Sequence, residues 1–256
     1  MSKIIIFGVS QWAELAHFYL AHDSPHDVVA FTLDRDYMET DTYKKLPVVS
    51  FESVDKEFPP KEYQMFIPMS FKKMNHLRAA KYFSAKQRGY QLISYVSSKA
   101  TVWPGFTCGD NCFIFEDNTI QPFVKIGNNV VMWSGNHIGH HTVIKDHVMI
   151  TSHVVISGCC TIEPFCFFGV NATVRDETVI ARETLVGMGV TILKDTKEFQ
   201  VYKAAATEPT GFRSDPIPSI AISTSSPSSS VNSEGGMIPV PVISTTPAGN
   251  SLYRRR

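Results

Sequence analysis

The stretch from Asn136 to Ile162 reads "NHIGHHTVIKDHVMITSHVVISGCCTI", with an isoleucine at every sixth position starting from Ile138. Extended in both directions, this spacing gives an unbroken column of sixteen apolar residues: Val102, Cys108, Ile114, Ile120, Ile126, Met132, Ile138, Ile144, Ile150, Ile156, Ile162, Phe168, Val174, Ile180, Val186 and Ile192. The residue two places before each is mostly small or β-branched, with Asn118 and Asn136 as exceptions. A period of six fits neither a helix nor an alternating strand.

The six-residue period predicts a left-handed parallel β-helix, in which each hexapeptide forms one of three flat faces and points its column residue inward. About 18 residues then complete one coil, and successive coils stack roughly 4.8 Å apart. Glycines directly after column positions are expected to relieve the backbone at the corners; they are Gly109, Gly127, Gly139, Gly169 and Gly187. A β-sandwich would instead require a period of two and dedicated turn signals.

Strand and helix signals alternate before the column. Strands are predicted at Lys3–Phe7, Val28–Leu33, Met65–Pro68 and Gln91–Tyr95, and helices at Gln11–His22 and Phe71–Arg88. This order predicts a small Rossmann-like α/β domain over residues 1–97, followed by the β-helix over 98–207. Residues 208–256 are rich in Ser, Thr, Pro and Gly, and we predict a disordered tail there.

Ligands of such α/β sheets bind beyond the carboxyl ends of the strands, so the turn from Gly8 to Trp12 and the side chain of Asp34 are candidate contacts. The turn reads "GVSQW" and lacks the G-x-G-x-x-G spacing of dinucleotide sites. A looser pocket for a nucleotide sugar remains compatible with it.

Overall composition disfavours some partners. Twenty-four basic residues balance twenty-four acidic ones, which argues against nucleic acid or an anionic membrane as a partner. The short apolar run near the N-terminus and the lack of a long apolar segment predict a soluble, cytoplasmic protein without membrane insertion. The five cysteines form no C-x-x-C pair, and we expect small, buried thiols in a reducing compartment.

Five of the nine histidines lie between Asn136 and His153. His141, His147 and His153 share one hexapeptide position and are expected on three different faces of one coil, so they cannot converge within one subunit. A metal site would have to draw ligands from neighbouring coils or neighbouring subunits. We expect His147 and His153 at the surface or at an interface, and not as ligands. The γ-type carbonic anhydrases pair two histidines five residues apart with a third about two coils away, and that pattern is missing here; no metal is expected.

Three segments carry a family resemblance: "IIIFGVS" (4–10), "VSSKATVWPGFTCGDNCFI" (96–114) and "VGMGVTILKD" (186–195). Up to about residue 207 the chain resembles the hexapeptide-repeat sugar O-acyltransferases of the sialic acid O-acetyltransferase type, and their relatives that N-acetylate nucleotide-linked amino sugars. The resemblance implies an acetyl-CoA-dependent transferase for a surface-glycan precursor, assembled as a homotrimer with its active site between subunits.

The resemblance also implies site residues. His140, in Ile138-Gly139-His140, matches the general base of the family, and Gly158 matches the glycine 18 residues later whose N–H can stabilise an oxyanion. The amino-sugar relatives often follow the base with a glutamate that orients it, whereas His141 stands at that catalytic position here, and Asp146 is the candidate for the orienting role. Met149 takes the place of a histidine that contacts the acetyl donor in some relatives.

Further binding residues follow from the resemblance. Coenzyme A is expected in the groove between the three-sided β-helices of two subunits. The residues expected near it are Gly158, Val170, Gly187, Met188 and Gly189. The nucleotide sugar is expected near Ser10, Gln11, Asp34, Asn136 and His137. Asn136 can alternatively form a side-chain ladder with Asn118, and Trp133 can pack either on coenzyme A or at the trimer interface. Two other functions remain open: a non-enzymatic β-helix assembly subunit and a γ-carbonic-anhydrase-like metal enzyme.

Overall fold

The N-terminal part is an α/β sheet in which β-branched and aromatic strands alternate with helices. The computed structural model describes residues 2–206 and Glu208. Its first elements are β1 (Lys3–Phe7), α1 (Gln11–Asp23), β2 (Asp27–Leu33), a 3₁₀ turn (Arg35–Tyr37), β3 (Thr42–Tyr43), β4 (Leu46–Ser50), α2 (Val54–Glu57), β5 (Tyr63–Phe66) and α3 (His76–Gln87). The strand order is β3-β4-β2-β1-β5, and every pairing is parallel except that of β3 with β4.

The first β-α-β unit agrees with the prediction, but α3 begins later than the predicted Phe71. Lys73, Met74 and Asn75 have φ angles of 52°, 49° and 66°, so the chain is left-handed just before the helix. The buried amide of Asn75 donates to the carbonyl oxygens of Phe165 and Cys166, far along the chain. A long-range contact therefore sets the start of this helix.

The remaining described chain forms the predicted β-helix. Its strands are two residues long: β6 (Tyr95–Val96), β7 (Phe113–Ile114), β8 (Thr119–Ile120), β9 (Lys125–Ile126), β10 (Val131–Met132), β11 (His137–Ile138), β12 (Val143–Ile144), β13 (Met149–Ile150), β14 (Val155–Ile156), β15 (Thr161–Ile162), β16 (Phe167–Phe168), β17 (Thr173–Val174), β18 (Val179–Ile180), β19 (Leu185–Val186), β20 (Thr191–Ile192) and β21 (Val201–Tyr202). Ile138 pairs with Ile156, which is 156 − 138 = 18 residues later. One coil therefore takes three hexapeptides, as the column predicts.

The strands fall into three parallel sheets, which we call the first, second and third face. The first face contains β6, β7, β10, β13, β16, β19 and β21; the second contains β8, β11, β14, β17 and β20; the third contains β9, β12, β15 and β18. Column residues from Ile114 to Ile192 are at most 6% exposed and form one core. Val102 is 37% exposed and Cys108 is half-buried, because they lie on the end coil and only one side of it is stacked.

The corner glycines have a different role from the predicted one. The left-handed residue at each corner is the third after the column position and is usually not glycine; examples are His141 (φ 59°), His147 (64°) and Cys159 (59°). Gly139 is needed because of close stacking instead. A Cβ added there would lie 2.5 Å from the carbonyl carbon of Ser157 on the next coil. Gly109, Gly127 and Gly169 face the next coil in the same way.

The α/β part packs on the first face of the β-helix. One apolar cluster joins Ile4 and Phe66 of the sheet to Phe113, Val131 and Met149 of the β-helix. The predicted boundary at residue 97 falls just after β6, which already pairs with β7. The predicted disordered tail lies outside the described residues, apart from Glu208. In the part of the chain that the structure describes, no helix has the length and apolarity to cross a membrane.

A buried arginine fastens α3 to the corner between the third and first faces. Arg78 is fully buried, and its guanidinium donates to Asn129 Oδ1, to Asn75 Oδ1 and to the carbonyl oxygens of His147 and Val148, among others. These acceptors are neutral, and burial lowers the pKa of the guanidinium. The bonds fix how the α/β part lies on the β-helix.

Candidate active site

The histidine-rich coil places its imidazoles in different surroundings. His140 and His141 are exposed at the corner between the second and third faces, and His153 is exposed at the corner between the first and second. His137 is half-buried on the second face, between Thr119 and Val155. The geometry agrees with the inference that His141, His147 and His153 do not converge.

The expectation that His147 lies at the surface is wrong. It is 4% exposed because Tyr82 and Phe83 of α3 and the ring of Phe165 cover it. Its Nδ1 accepts from the amide of Asn129 at 2.9 Å, since Asn129 Oδ1 already faces Arg78. Burial lowers the pKa of His147 to about 4, although nearby Asp146 opposes this shift.

His140 has a fixed backbone and an accessible ring. Its N–H donates to Gln121 Oε1 at 2.9 Å, and its carbonyl oxygen accepts from the Cys159 N–H at 2.8 Å. Gly158 lies one coil later, and the imidazole occupies the space that a side chain there would fill. A Cβ on Gly158 would be 2.7 Å from Cε1 and 2.9 Å from Nε2 of His140. The ring therefore lies directly against the Gly158 backbone.

His141 is the group that contacts the other nitrogen of His140. The two Nδ1 atoms are 3.1 Å apart, and the rings are nearly perpendicular, at 85°. If His140 donates its Nδ1–H to His141, the lone pair of His140 lies on Nε2, beside Gly158. The ring of Phe123 packs against His141 with centroids 4.7 Å apart. Asp146, the candidate for orienting His140, instead accepts hydrogen bonds from the backbone and side chain of Asn128.

Gly158 offers an unused hydrogen-bond donor. Among the described residues, no protein acceptor binds its N–H, whereas its carbonyl oxygen accepts from Glu177 N–H at 2.9 Å. Gly158 is half-buried and has no side chain of its own to cover this N–H. An exposed imidazole and a backbone donor without a protein acceptor thus belong to the same corner. This pair can accept a proton and stabilise a developing negative oxygen.

Two residues that were predicted to contact substrate or cofactor, Asn136 and Met149, are buried. Asn136 is 1% exposed, donates to Asn118 Oδ1 and accepts from Val154 N–H, both at 2.8 Å, so the ladder explains it and substrate contact does not. Met149 is 2% exposed because the α/β part covers it, and it cannot contact a cofactor there. Trp133 likewise packs on Trp12 of the same chain, with ring centroids 5.4 Å apart.

The remaining predicted residues are accessible but lie away from His140. Val170 and Met188 are 40% and 73% exposed, and Gly189 N–H donates to the Val170 carbonyl oxygen at 2.9 Å. With Gly187 they form part of the corner between the first and second faces. Ser10 and Gln11 are exposed at the start of α1, and Asp34 is ion-paired with Lys81.

The α/β part contacts the first face and the two corners that border it, at Trp133 and at His147. His140 lies at the third corner, on the far side of the prism. Within one chain, the predicted sugar contacts Ser10, Gln11 and Asp34 therefore do not meet His140. A cavity of about 960 Å³ lies elsewhere, at the amino ends of β1 and β5 and lined by charged residues such as Lys3 and Arg88. It contains none of the predicted site residues.

Sequence reasoning missed two contacts of His140, namely Gln121 and Cys159. Cys159 is exposed, contrary to the expectation of buried thiols, and its Sγ lies 3.9 Å from His140 Nδ1. The signal was available: Cys159 follows His141 by 159 − 141 = 18 residues, so the two residues stack at one corner. The hexapeptide repeat does not indicate that the side chain of Gln121 accepts from the His140 N–H.

No protein-family model matches the chain. Several solved structures are similar to it. The acetyltransferase domain of PglB from Neisseria gonorrhoeae has a TM-score of 0.67 at 16% identity, covering 78% of this chain and 96% of that one. WeeI from Acinetobacter baumannii has a TM-score of 0.62 at 18% identity, covering 78% and 96%. A mutant of perosamine N-acetyltransferase from Caulobacter crescentus, in complex with CoA and GDP-perosamine, has a TM-score of 0.57 at 19% identity, covering 78% and 93%. The chain thus shares the fold of these proteins, a left-handed β-helix with an α/β part before it.

Proposed function

We propose that the protein is an acetyl-CoA-dependent acetyltransferase that acts on the amino group of a nucleotide-linked sugar, with His140 as general base. The observation that carries the proposal is the exposed His140 imidazole, which lies where a side chain on Gly158 would be, beside a glycine whose N–H has no acceptor among the described residues. The shared fold supports the substrate class. The PglB domain was solved with acetyl coenzyme A, and the perosamine N-acetyltransferase with CoA and a GDP-sugar.

The proposed reaction is a direct transfer. The sugar amine attacks the thioester carbonyl carbon, a C–N bond forms, and Nε2 of His140 takes the proton that the amine loses. The carbonyl oxygen becomes negative and accepts a hydrogen bond from the Gly158 N–H. The C=O bond then re-forms as the C–S bond breaks, and the departing thiolate of coenzyme A takes the proton from the His140 imidazolium, which returns to its neutral form. No acyl-enzyme is needed, and Cys159 has no part in the transfer.

The sugar and the base come from different copies of the chain in this proposal. His140 occupies the corner that its own α/β part leaves uncovered, and Ser10, Gln11 and Asp34 lie on the opposite side. A homotrimer of three-sided prisms would bring the α/β part of one copy to the His140 corner of the next. Coenzyme A would then lie along the groove between copies, near Val170 and Met188.

Purified protein is tested with acetyl-CoA and a panel of nucleotide-linked amino sugars, with thiol release measured and the acetylated product identified by mass spectrometry. Matched hydroxyl sugars decide between N- and O-transfer. We expect His140→Ala to lower kcat/KM by about 10²- to 10⁴-fold, whereas His153→Asn retains activity. A folded His140→Ala protein with full activity would refute the role of the base.

A mixing experiment tests the shared site. His140→Ala chains and chains with Asp34→Asn are unfolded together, refolded and assayed. If sugar and base come from different copies, mixed assemblies contain sites with both residues intact, and activity exceeds the sum of the two variants alone. If each chain carries a complete site, mixing adds nothing, and the intersubunit arrangement is wrong.

A further inference from the structure

Three soft donor atoms converge beside the proposed base. One nitrogen each of His140 and His141 and the Sγ of Cys159 all lie within 4.8 Å of one another, and all three side chains are exposed. The Nδ1–Nδ1 distance is 3.1 Å and the distance from Sγ to His140 Nδ1 is 3.9 Å. Two imidazoles and a thiolate are a donor set that binds Zn²⁺ well.

The β-helix backbone holds the three residues in place. His141 and Cys159 occupy the same left-handed corner position on successive coils, with φ of 59° each. The Cys159 N–H donates to the His140 carbonyl oxygen at 2.8 Å, which ties the two coils together next to the donor atoms. The side chains thus start from fixed, neighbouring Cα positions, and the ordering cost of binding an ion is reduced.

The donor atoms are also free to bind. Within the described residues, the polar contacts of the His141 ring and of the Cys159 thiol are with His140 alone. The adjacent Cys160 is different: it is 1% exposed, and its thiol donates to the Arg175 carbonyl oxygen at 3.1 Å. Cys159 is therefore the thiol at this corner that a solvent ion can reach.

We propose that His140, His141 and Cys159 bind one Zn²⁺ ion, and that this ion reversibly blocks the corner. With Zn–N of about 2.0–2.1 Å and Zn–S of about 2.3 Å, tetrahedral ligand atoms lie roughly 3.3–3.6 Å apart. The Nδ1–Nδ1 and Sγ–Nδ1 distances of 3.1 and 3.9 Å are close to this spacing, and small rotations of the three exposed side chains would bring the donor atoms to it. Three protein ligands leave a fourth position for water. Binding converts the Cys159 thiol to a thiolate and releases its proton to solvent.

The consequence for catalysis rests on the proposed function. An ion on His140 Nδ1 replaces the contact with His141. A neutral imidazole that binds an ion through Nδ1 carries its hydrogen on Nε2, so Nε2 has no lone pair with which to take the proton of the amine. The ion and its water also occupy the space from which a substrate would approach Gly158. Zinc is therefore an inhibitor of this enzyme and not its cofactor.

Binding is measured on the full-length protein, freed of metal with a chelator, by calorimetric titration with Zn²⁺ and by absorption after Co²⁺ addition. We expect one ion per chain and a thiolate-to-cobalt charge-transfer band. Cys159→Ser and His141→Asn should each weaken Zn²⁺ binding at least about tenfold and remove or shift the band. His153→Asn, a matched change at another left-handed corner position, should alter neither. Equal zinc affinity in the wild type and in Cys159→Ser, with both folded, would overturn the site.

Acetyl transfer with and without Zn²⁺ then separates this inference from the proposed function. Each variant is compared with its own metal-free activity; the wild type should be inhibited by Zn²⁺, restored by chelator, and more sensitive than Cys159→Ser. Site-specific zinc binding by a protein without transferase activity would support the site while the proposed function fails. An active transferase that Zn²⁺ inhibits equally in the wild type and in Cys159→Ser would refute the blocking role.

Discussion

Replacing Gly158 with alanine tests the contact on which the proposed chemistry depends. The added methyl group would lie 2.7, 2.9 and 3.1 Å from Cε1, Nε2 and Nδ1 of His140, whereas ordinary contacts begin at 3.4 Å. The ring must therefore move away by about 0.3–0.7 Å. Within 4 Å the nearest atoms to the methyl group are those of this ring. The backbone N–H remains, so activity is lost either because the ring of His140 moves or because the methyl group obstructs the approach to this N–H, and a double-mutant cycle separates the two effects.

The size of the effect follows from that displacement. A misplacement of about 1 Å can cost on the order of 10²-fold in rate, so we expect kcat/KM to fall roughly ten- to a hundredfold, or about 1.4 to 2.7 kcal/mol of transition-state stabilisation. Stability should change little, because Gly158 does not have the positive φ that makes other residues strained and His140 is an exposed side chain that can turn away.

A double-mutant cycle provides the control. Rates of thiol release from acetyl-CoA are measured for wild type, Gly158→Ala, His140→Ala and the double variant, with unfolding midpoints recorded for each. If the methyl group acts by displacing the ring, Gly158→Ala has little further effect once the ring is gone. The reasoning is refuted if Gly158→Ala keeps full activity, or if it lowers the rate by the same factor in both backgrounds.

Further predictions concern the scaffold, and chemical denaturation at fixed chain concentration checks each. The pKa of His147 is about 4 in the folded protein and 6.5 ordinarily, so below pH 6.5 the unfolded chain takes up the proton first. The wild type should lose up to about 3 kcal/mol between pH 6.5 and 4, and His147→Asn should lose less over that range. Asn136→Ala leaves Val154 N–H and Asn118 Oδ1 without their partner; we expect a loss of about 2–4 kcal/mol, and an unchanged midpoint would contradict the ladder. Gly139→Ala pushes a methyl group into the next coil and should cost about 3 kcal/mol or more; wild-type stability would show that the coils can separate there.

Local repetition is what made the β-helix predictable. Each hexapeptide supplies its own core residue, so a column such as Ile138, Ile144 and Ile150 reports the fold without knowledge of distant contacts. The 18-residue coil then follows, and with it the neighbours one coil apart. The pairing of His140 with Gly158 was available at this level. The 18-residue spacing of His141 and Cys159 places these two residues at one corner in the same way.

Tertiary packing determines which residues at the corners of the β-helix are exposed to solvent. His147 and His153 share one repeat position and the same left-handed backbone, yet α3 buries the first and leaves the second exposed. Met149 and Trp133 are likewise covered by the α/β part of the same chain. The coil and its register could be predicted from the sequence, because they depend on residues six and 18 positions apart. The exposed corner could not, because burial depends on contacts between segments some 70 residues apart, such as Arg78 with His147.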